Sequence, residues 1–245
     1  MTQKFLIIAE QRSGTNLITR LLKSHPDIDL LPEPFCHPYM YTGVNYTATP
    51  IEFVDSIFTN ADGAGIHRSQ RFKNINNNAE FWKYVLKNFK NSWNDDDVWK
   101  YLLTKDLKYV FIERKNHLKR YVSLQVAQQT RNWIDINDGT ALNKLPRIII
   151  NINDMFTDFE RIENYTNKIK TLVKDSETLF LTYEGICNDI PKNTSEILAF
   201  IGYDDIKLEP ETVKRETRPL SDAIINYNHV INAIRQSKWT NVLDW

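Results

Sequence analysis

The sequence predicts an α/β fold, a central, mostly parallel sheet flanked by helices. Three observations carry this. The clearest strands, "KFLIIA", "KYVFIE" and "TLFLTYE", are short apolar runs rich in β-branched and aromatic residues. Helical patterns stand between them, and strands joined through helices pair in parallel. With 42% apolar residues in 245, the chain can bury one substantial core.

The elements follow in order. Residues 4–9 read as a buried strand and 14–23 as a helix with Leu17, Ile18, Leu21 and Leu22 on one face. "HPDIDLLPEPFCHP" reads as a loop, because each Pro lacks an N–H and restricts its predecessor. Residues 50–58, 79–89 and 96–104 read as helices, "GAGIH" (63–67) as a short strand and "NINNN" (74–78) as a loop. After the strand at 108–113 come helices at 116–130 and 153–174, a strand at 178–184, and a helix at 194–201 capped by Gly202. A last helix is expected near 223–236.

Thirty-one Lys+Arg balance thirty-one Asp+Glu, so no global field draws nucleic acid and any anion site must be local. Two cysteines, Cys36 and Cys187, fit a reducing cytosol, although a single bridge stays open. No apolar stretch reaches the roughly 18 residues of a membrane span, and the first apolar run is too short for a signal peptide. The expected compartment is the cytoplasm. His25, His37, His117 and His229 lack metal-ligand spacing, so no metal is expected.

In such folds ligands bind beyond the C-terminal ends of the strands. The first strand ends in Gln11-Arg12-Ser13-Gly14-Thr15-Asn16. A helix start offers free amides to an anion; Ser13, Thr15 and Asn16 add side-chain donors, and Arg12 adds a planar charged fork. The alternative is a plain strand–helix turn capped by Ser13 or Thr15. The loop lacks the G-x-x-x-x-G-K-[ST] pattern that serves ATP and Mg²⁺. A second grip is available after the strand at 108–113, where Arg114 stands at the strand end and Ser123 nine residues on. The alternative there is that Arg114, Lys115, Lys119 and Arg120 form a solvated helix face.

"QRSGTNL" resembles the 5′-phosphosulfate loop of the sulfotransferases, with Arg12 where many members carry Lys, and "ERKNHLKRYVSLQVAQQT" resembles their 3′-phosphate segment. "LTYEGI" and "KRETRPLSDAIINYNHV" resemble later segments of the bacterial carbohydrate branch, which includes the nodulation-factor and trehalose sulfotransferases. This implies a P-loop-containing nucleotide-hydrolase-like fold over 1–245 as a single domain, with a helical or loop acceptor-binding insertion at about 42–107. The implied donor is 3′-phosphoadenosine 5′-phosphosulfate (PAPS), with no metal. The implied donor-site residues are Arg12, Ser13, Gly14, Thr15, Asn16, Arg114, Ser123 and Tyr183, the last near the adenine. Arg215 and Arg218 would close over the donor. Arg12 would also be catalytic, and Glu33 in "LPEPF" is the expected base, with His67 the second candidate. Trp82, Trp93 and Trp99 are candidate sugar platforms. The expected partner is a small-molecule or glycan acceptor, without nucleic acid; a homodimer stays open. A P-loop small-molecule kinase and a non-catalytic nucleotide-binding module are the competing readings.

Overall fold

The computed structural model describes residues 4–28, 30–31, 74–78, 95–131, 145–209 and 218–244. Five strands form one parallel sheet in the order β2-β3-β1-β4-β5: β1 Phe5–Ala9, β2 Leu30–Leu31, β3 Asn74–Asn78, β4 Lys108–Glu113 and β5 Thr178–Thr182. The helices are α1 Thr15–Lys23, α2 Asp95–Leu103, α3 His117–Thr130, α4 Ile152–Leu172, α5 Tyr183–Asn188, α6 Ile190–Ile201, α7 Leu220–Ala223 and α8 Tyr227–Arg235. The expected parallel, helix-flanked sheet is borne out.

Every residue of β1 is buried, which is why it reads as an unbroken apolar run instead of an alternating one. Phe5, Ile7 and Ala9 pack with Val110 and Ile112 of β4 against Ile18, Leu21 and Leu22 of α1 and Ile197, Leu198 and Ile201 of α6. Leu6, Ile8, Tyr109 and Phe111, of opposite parity, are buried as well. A second cluster joins α3, α4 and α8 through Tyr121, Val122, Phe159, Val230 and Ile234, and Trp239 closes it. Among the described residues no helix is long and apolar enough to cross a membrane.

Four expectations change. Asn74–Asn78 is a strand between β2 and β1, not a loop. Its asparagines have low intrinsic strand preference, and ladder pairing on both sides overrides it. Leu30–Leu31, inside the proline-rich loop, forms a two-residue edge strand against β3. The third clear strand stops at Thr182, whose Oγ1 accepts the Gly185 N–H and starts α5, so Tyr183 and Glu184 open a helix instead of ending a strand. The last helix is split. Ile224 bridges to Ile148, and the Asn226 amide both donates to the Ile150 carbonyl (2.8 Å) and accepts the Ile150 N–H (3.0 Å). One side chain replaces a ladder pair there and interrupts the helix. Gly202, with φ 80°, ends α6 as expected. The strand expected at 63–67 and the helices at 50–58 and 79–89 lie outside the described residues.

Candidate active site

The loop after β1 is a tight turn in which Ser13 N–H donates to the Glu10 carbonyl (3.2 Å). Its third residue, Arg12, has φ 66°. That left-handed position suits Gly or Asn, and an L-residue there is strained by about 1–2 kcal/mol. Non-glycine residues keep such strain where the surroundings over-determine the backbone. Two arginines do so here. Arg114 Nη1 donates to the Arg12 carbonyl (2.7 Å), and Arg120 Nη1 donates to the Gln11 carbonyl (3.4 Å).

Gly14, φ 87°, is the N-cap of α1, and no side chain caps the helix. Neither Ser13 nor Thr15 plays the capping role that the plain-turn reading required. The first-turn amides, at Thr15 and Asn16, lack intrahelical partners by construction, and the helix dipole favours an anion there. Glycine is needed at position 14 for a second reason. A Cβ would lie 2.3 Å from Tyr183 Cδ2, because the Tyr183 ring sits directly on the loop backbone. Ser13 is buried, at 1% exposure.

The Arg12 side chain points to α3, where its Nε donates to Ser123 Oγ (3.0 Å). The Arg114 guanidinium, buried at the end of β4, lies 4.5 Å from the centroid of the Tyr183 ring. Its Nε has no hydrogen-bond partner among the described residues. Glu184 fixes the segment that carries Arg114. Its two carboxylate oxygens accept the backbone N–H groups of Lys115 and Asn116, each at 3.0 Å. Burial lowers the proton affinity of Arg114, while Tyr183, Glu184 and Cys187 act in the opposite sense; a guanidinium stays charged regardless. Burial, reinforced by a hydrogen bond with Cys187, pushes the Tyr183 phenol up to about 12. Tyr183 is therefore a neutral ring beside a cation. At the end of β4, Glu113 is held by Lys115 and Lys170, both at 2.8 Å. Burial would raise its pKa, and the two ammonium groups more than offset that, lowering it.

The structure thus brings together Arg12, Gly14, Arg114, Ser123 and Tyr183, with Ser13, Thr15 and Asn16 in the same loop. The two expected anion grips share one residue, since Ser123 and Arg114 both bond to Arg12. The solvated-face reading of Arg114, Lys115, Lys119 and Arg120 holds for Lys119, which is exposed, and fails for Arg114 and Arg120, at 8% and 0% exposure. The sequence reading missed Arg120 and Glu184 as parts of the site. Arg120 stands one helical turn before Ser123, on the same face of α3, and that spacing was the available signal. Glu184 gave none, because its role depends on where α5 begins.

Arg218 is engaged elsewhere. Its Nη1 and Nη2 donate to the carbonyls of Leu145 (2.8 Å) and Pro146 (3.1 Å). Trp99 is a core residue at 1% exposure and cannot serve as a sugar platform. Burial holds His117, packed on Phe159 and Trp239, down to a pKa of about 4, so its imidazole is neutral. Glu33, His67, Arg215, Trp82 and Trp93 lie outside the described residues.

The loop after β1 is thus bonded to Arg114, just past β4, and to Ser123 of α3, residues that the sequence resemblance had singled out. The sulfotransferase domain family matches residues 2–221. The chain belongs to the sulfotransferase family. Among curated proteins, this sulfotransferase is 22% identical over 126 residues to nodulation protein H of Rhizobium meliloti, and equally so to that of R. meliloti strain 1021. The match covers 51% of this chain and 51% of each relative, so the chain spans about half the length of the curated relatives it matches. Among solved structures, it is similar to the sulfotransferase from Alicyclobacillus acidocaldarius (TM-score 0.48, 12% identity, 88% of this chain and 87% of that one). It is also similar to mouse sulfotransferase SULT7A1 complexed with PAP (TM-score 0.47, 12% identity, 100% and 89%).

Proposed function

We propose that this sulfotransferase moves a sulfuryl group from PAPS to a hydroxyl of a carbohydrate-type acceptor and releases 3′-phosphoadenosine 5′-phosphate. The observation that carries the reading is the convergence of Arg12, Arg114 and Ser123 beside an uncapped helix start. PAPS bears roughly four negative charges at neutral pH. A chain with no net charge meets them only by gathering cations locally, and two arginines with the α1 amides do this. The 5′-phosphosulfate is assigned to the Arg12 loop and the 3′-phosphate to Arg114 and Ser123. The unpartnered Arg114 Nε fits an oxyanion neighbour. The flat face of Tyr183 and its place on Gly14 suit a nucleobase edge at the loop rim.

In the reaction the acceptor oxygen attacks sulfur while the bond from sulfur to the bridging oxygen breaks. The electron pair stays on the departing 5′-phosphate, and the hydroxyl proton goes to the base, assigned to Glu33. Charge grows on the bridging oxygen, where Arg12 stabilises the transition state more than the ground state. Acceptor recognition is assigned to the stretch at about 42–107, of which β3 also completes the sheet beside β1. A single domain over 1–245 is part of this reading.

Ser123→Ala tests the 3′ assignment with less disturbance than Arg114→Ala, because Arg114 holds the loop backbone whereas Ser123 bonds to the Arg12 side chain. Ser123→Ala is expected to weaken 3′-phosphoadenosine 5′-phosphate by about 1.5–3 kcal/mol, tenfold or more, as fits a contact to a charged group. Adenosine 5′-phosphate, which lacks the 3′ group, should lose less, because it feels only the lost Ser123 bond to Arg12. Arg114→Ala should weaken both nucleotides, the bisphosphate more. Calorimetric titration reads all four affinities, and equal losses for the two nucleotides in Ser123→Ala would remove the assignment.

A further inference from the structure

Behind the Arg12 loop lies a chain of charges, of which Glu10 and Arg120 are buried and Asp158 and Arg161 are partly exposed. Arg120 is fully buried and pairs with Asp158 of α4. Asp158 also accepts from Arg161, one turn along α4, at 3.0 Å. Arg161 Nη1 lies 3.5 Å from Glu10 Oε2, and Glu10 is the residue where the turn begins. Arg120 Nη1 returns to the Gln11 carbonyl. The path Glu10, Arg161, Asp158, Arg120, Gln11 therefore starts and ends on two successive loop residues. It contains two carboxylates and two guanidiniums, so it is neutral as a unit.

We infer that Glu10, Arg120, Asp158 and Arg161 are positioning residues that hold the turn so that Arg12 keeps its left-handed backbone and aims its guanidinium at the reacting centre. The need for such a device follows from Arg12 itself. At φ 66° a non-glycine residue relaxes unless its neighbours are fixed. Arg114 fixes the carbonyl after it and Arg120 the carbonyl before it. Arg114 is assigned to the donor, whereas Arg120, at 0% exposure, is buried and reaches the loop through the Gln11 carbonyl. Arginine suits the role because its planar fork serves a carboxylate and a carbonyl together, which a lysine ammonium does poorly. A buried charge in an ion pair adds little to stability compared with an apolar replacement, and so stability alone does not account for the buried Glu10 and Arg120 at this point.

The consequence for rate rests on the sulfuryl-transfer reading; the consequence for the backbone does not. The test is the pair of variants Arg120→Met/Asp158→Asn, which leaves Glu10 and Arg161 as a neutral pair, and Arg120→Lys, which keeps the charge and loses the fork. Crystal structures of the full chain read the Arg12 φ angle, and steady-state kinetics with PAPS read kcat and donor KM. The double variant is expected to move Arg12 out of the left-handed region. Its kcat should fall about tenfold or more, with a smaller rise in donor KM, since small misplacements near the chemistry act mainly on the transition state. Arg120→Lys should show a smaller displacement with a correspondingly smaller loss of kcat, and it stands in for the double variant should that one fail to fold. If Arg12 keeps its φ near 66° in a folded variant, the proposal is overturned, whatever the activity. A wild-type chain that does not turn over PAPS would refute the functional reading and leave the backbone measurement standing.

Discussion

Arg12→Ala is expected to lower kcat by about 10²- to 10³-fold, the range for losing one preorganised donor to a developing oxyanion. Affinity for 3′-phosphoadenosine 5′-phosphate should change far less, because the α1 amides, Arg114 and Ser123 remain. The guanidinium is aimed by Ser123 Oγ at its Nε, and its backbone is clamped on both sides. That much order in a long side chain is useful only if direction matters. Arg12→Gly sharpens the result. Glycine adopts φ 66° without strain, so this variant should melt no lower than Arg12→Ala, and about 1 kcal/mol of relieved strain should favour it. Both should be equally inactive. An unchanged kcat with a raised donor KM would show that Arg12 binds the donor without assisting transfer.

Glu33→Gln is the second large effect. The substitution keeps the size of the side chain and removes its basicity. Turnover is expected to fall by at least about 10²-fold, within the range for removing a general base, with donor affinity nearly unchanged. Glu33 stands between Pro32 and Pro34, which limit the backbone. In sequence the segment comes next after β2, the edge strand that pairs with β3, which in turn pairs with β1. His67→Ala run in parallel separates the two candidates. An active Glu33→Gln beside a dead His67→Ala would transfer the role to His67, and activity in both would leave neither as the base.

Much of this was legible in the chain, for physical reasons that differ by element. The strands at 5–9 and 108–113 announce themselves because they are buried on both faces, so an apolar run survives any register. "NINNN" did not, because its strand state comes from its neighbours on either side and not from its own side chains. The strand–turn–helix pattern that carries the Arg12 loop was legible in the sequence. The left-handed state of Arg12 was not, because nothing in "EQRSG" singles out Arg12 as the turn residue with positive φ. That state depends on Arg114 and Arg120, more than a hundred positions away. Arg120 sat in plain view inside a basic run, and charge runs usually face water. Only the acid on α4 that pairs with it shows that it does not. Arg218 read as a donor clamp because an Arg in a tail is a natural lid, yet two main-chain carbonyls take its fork.

The most direct test of the central claim is the nucleotide that stabilises the wild-type chain. Thermal unfolding should be followed with 3′-phosphoadenosine 5′-phosphate in EDTA and, separately, with ATP and Mg²⁺. The bisphosphate without metal is expected to raise stability by roughly 2.7 kcal/mol at a hundred times its Kd, and Mg·ATP is expected to do little at the same concentration. Stabilisation by Mg·ATP alone would contradict this and point to a kinase.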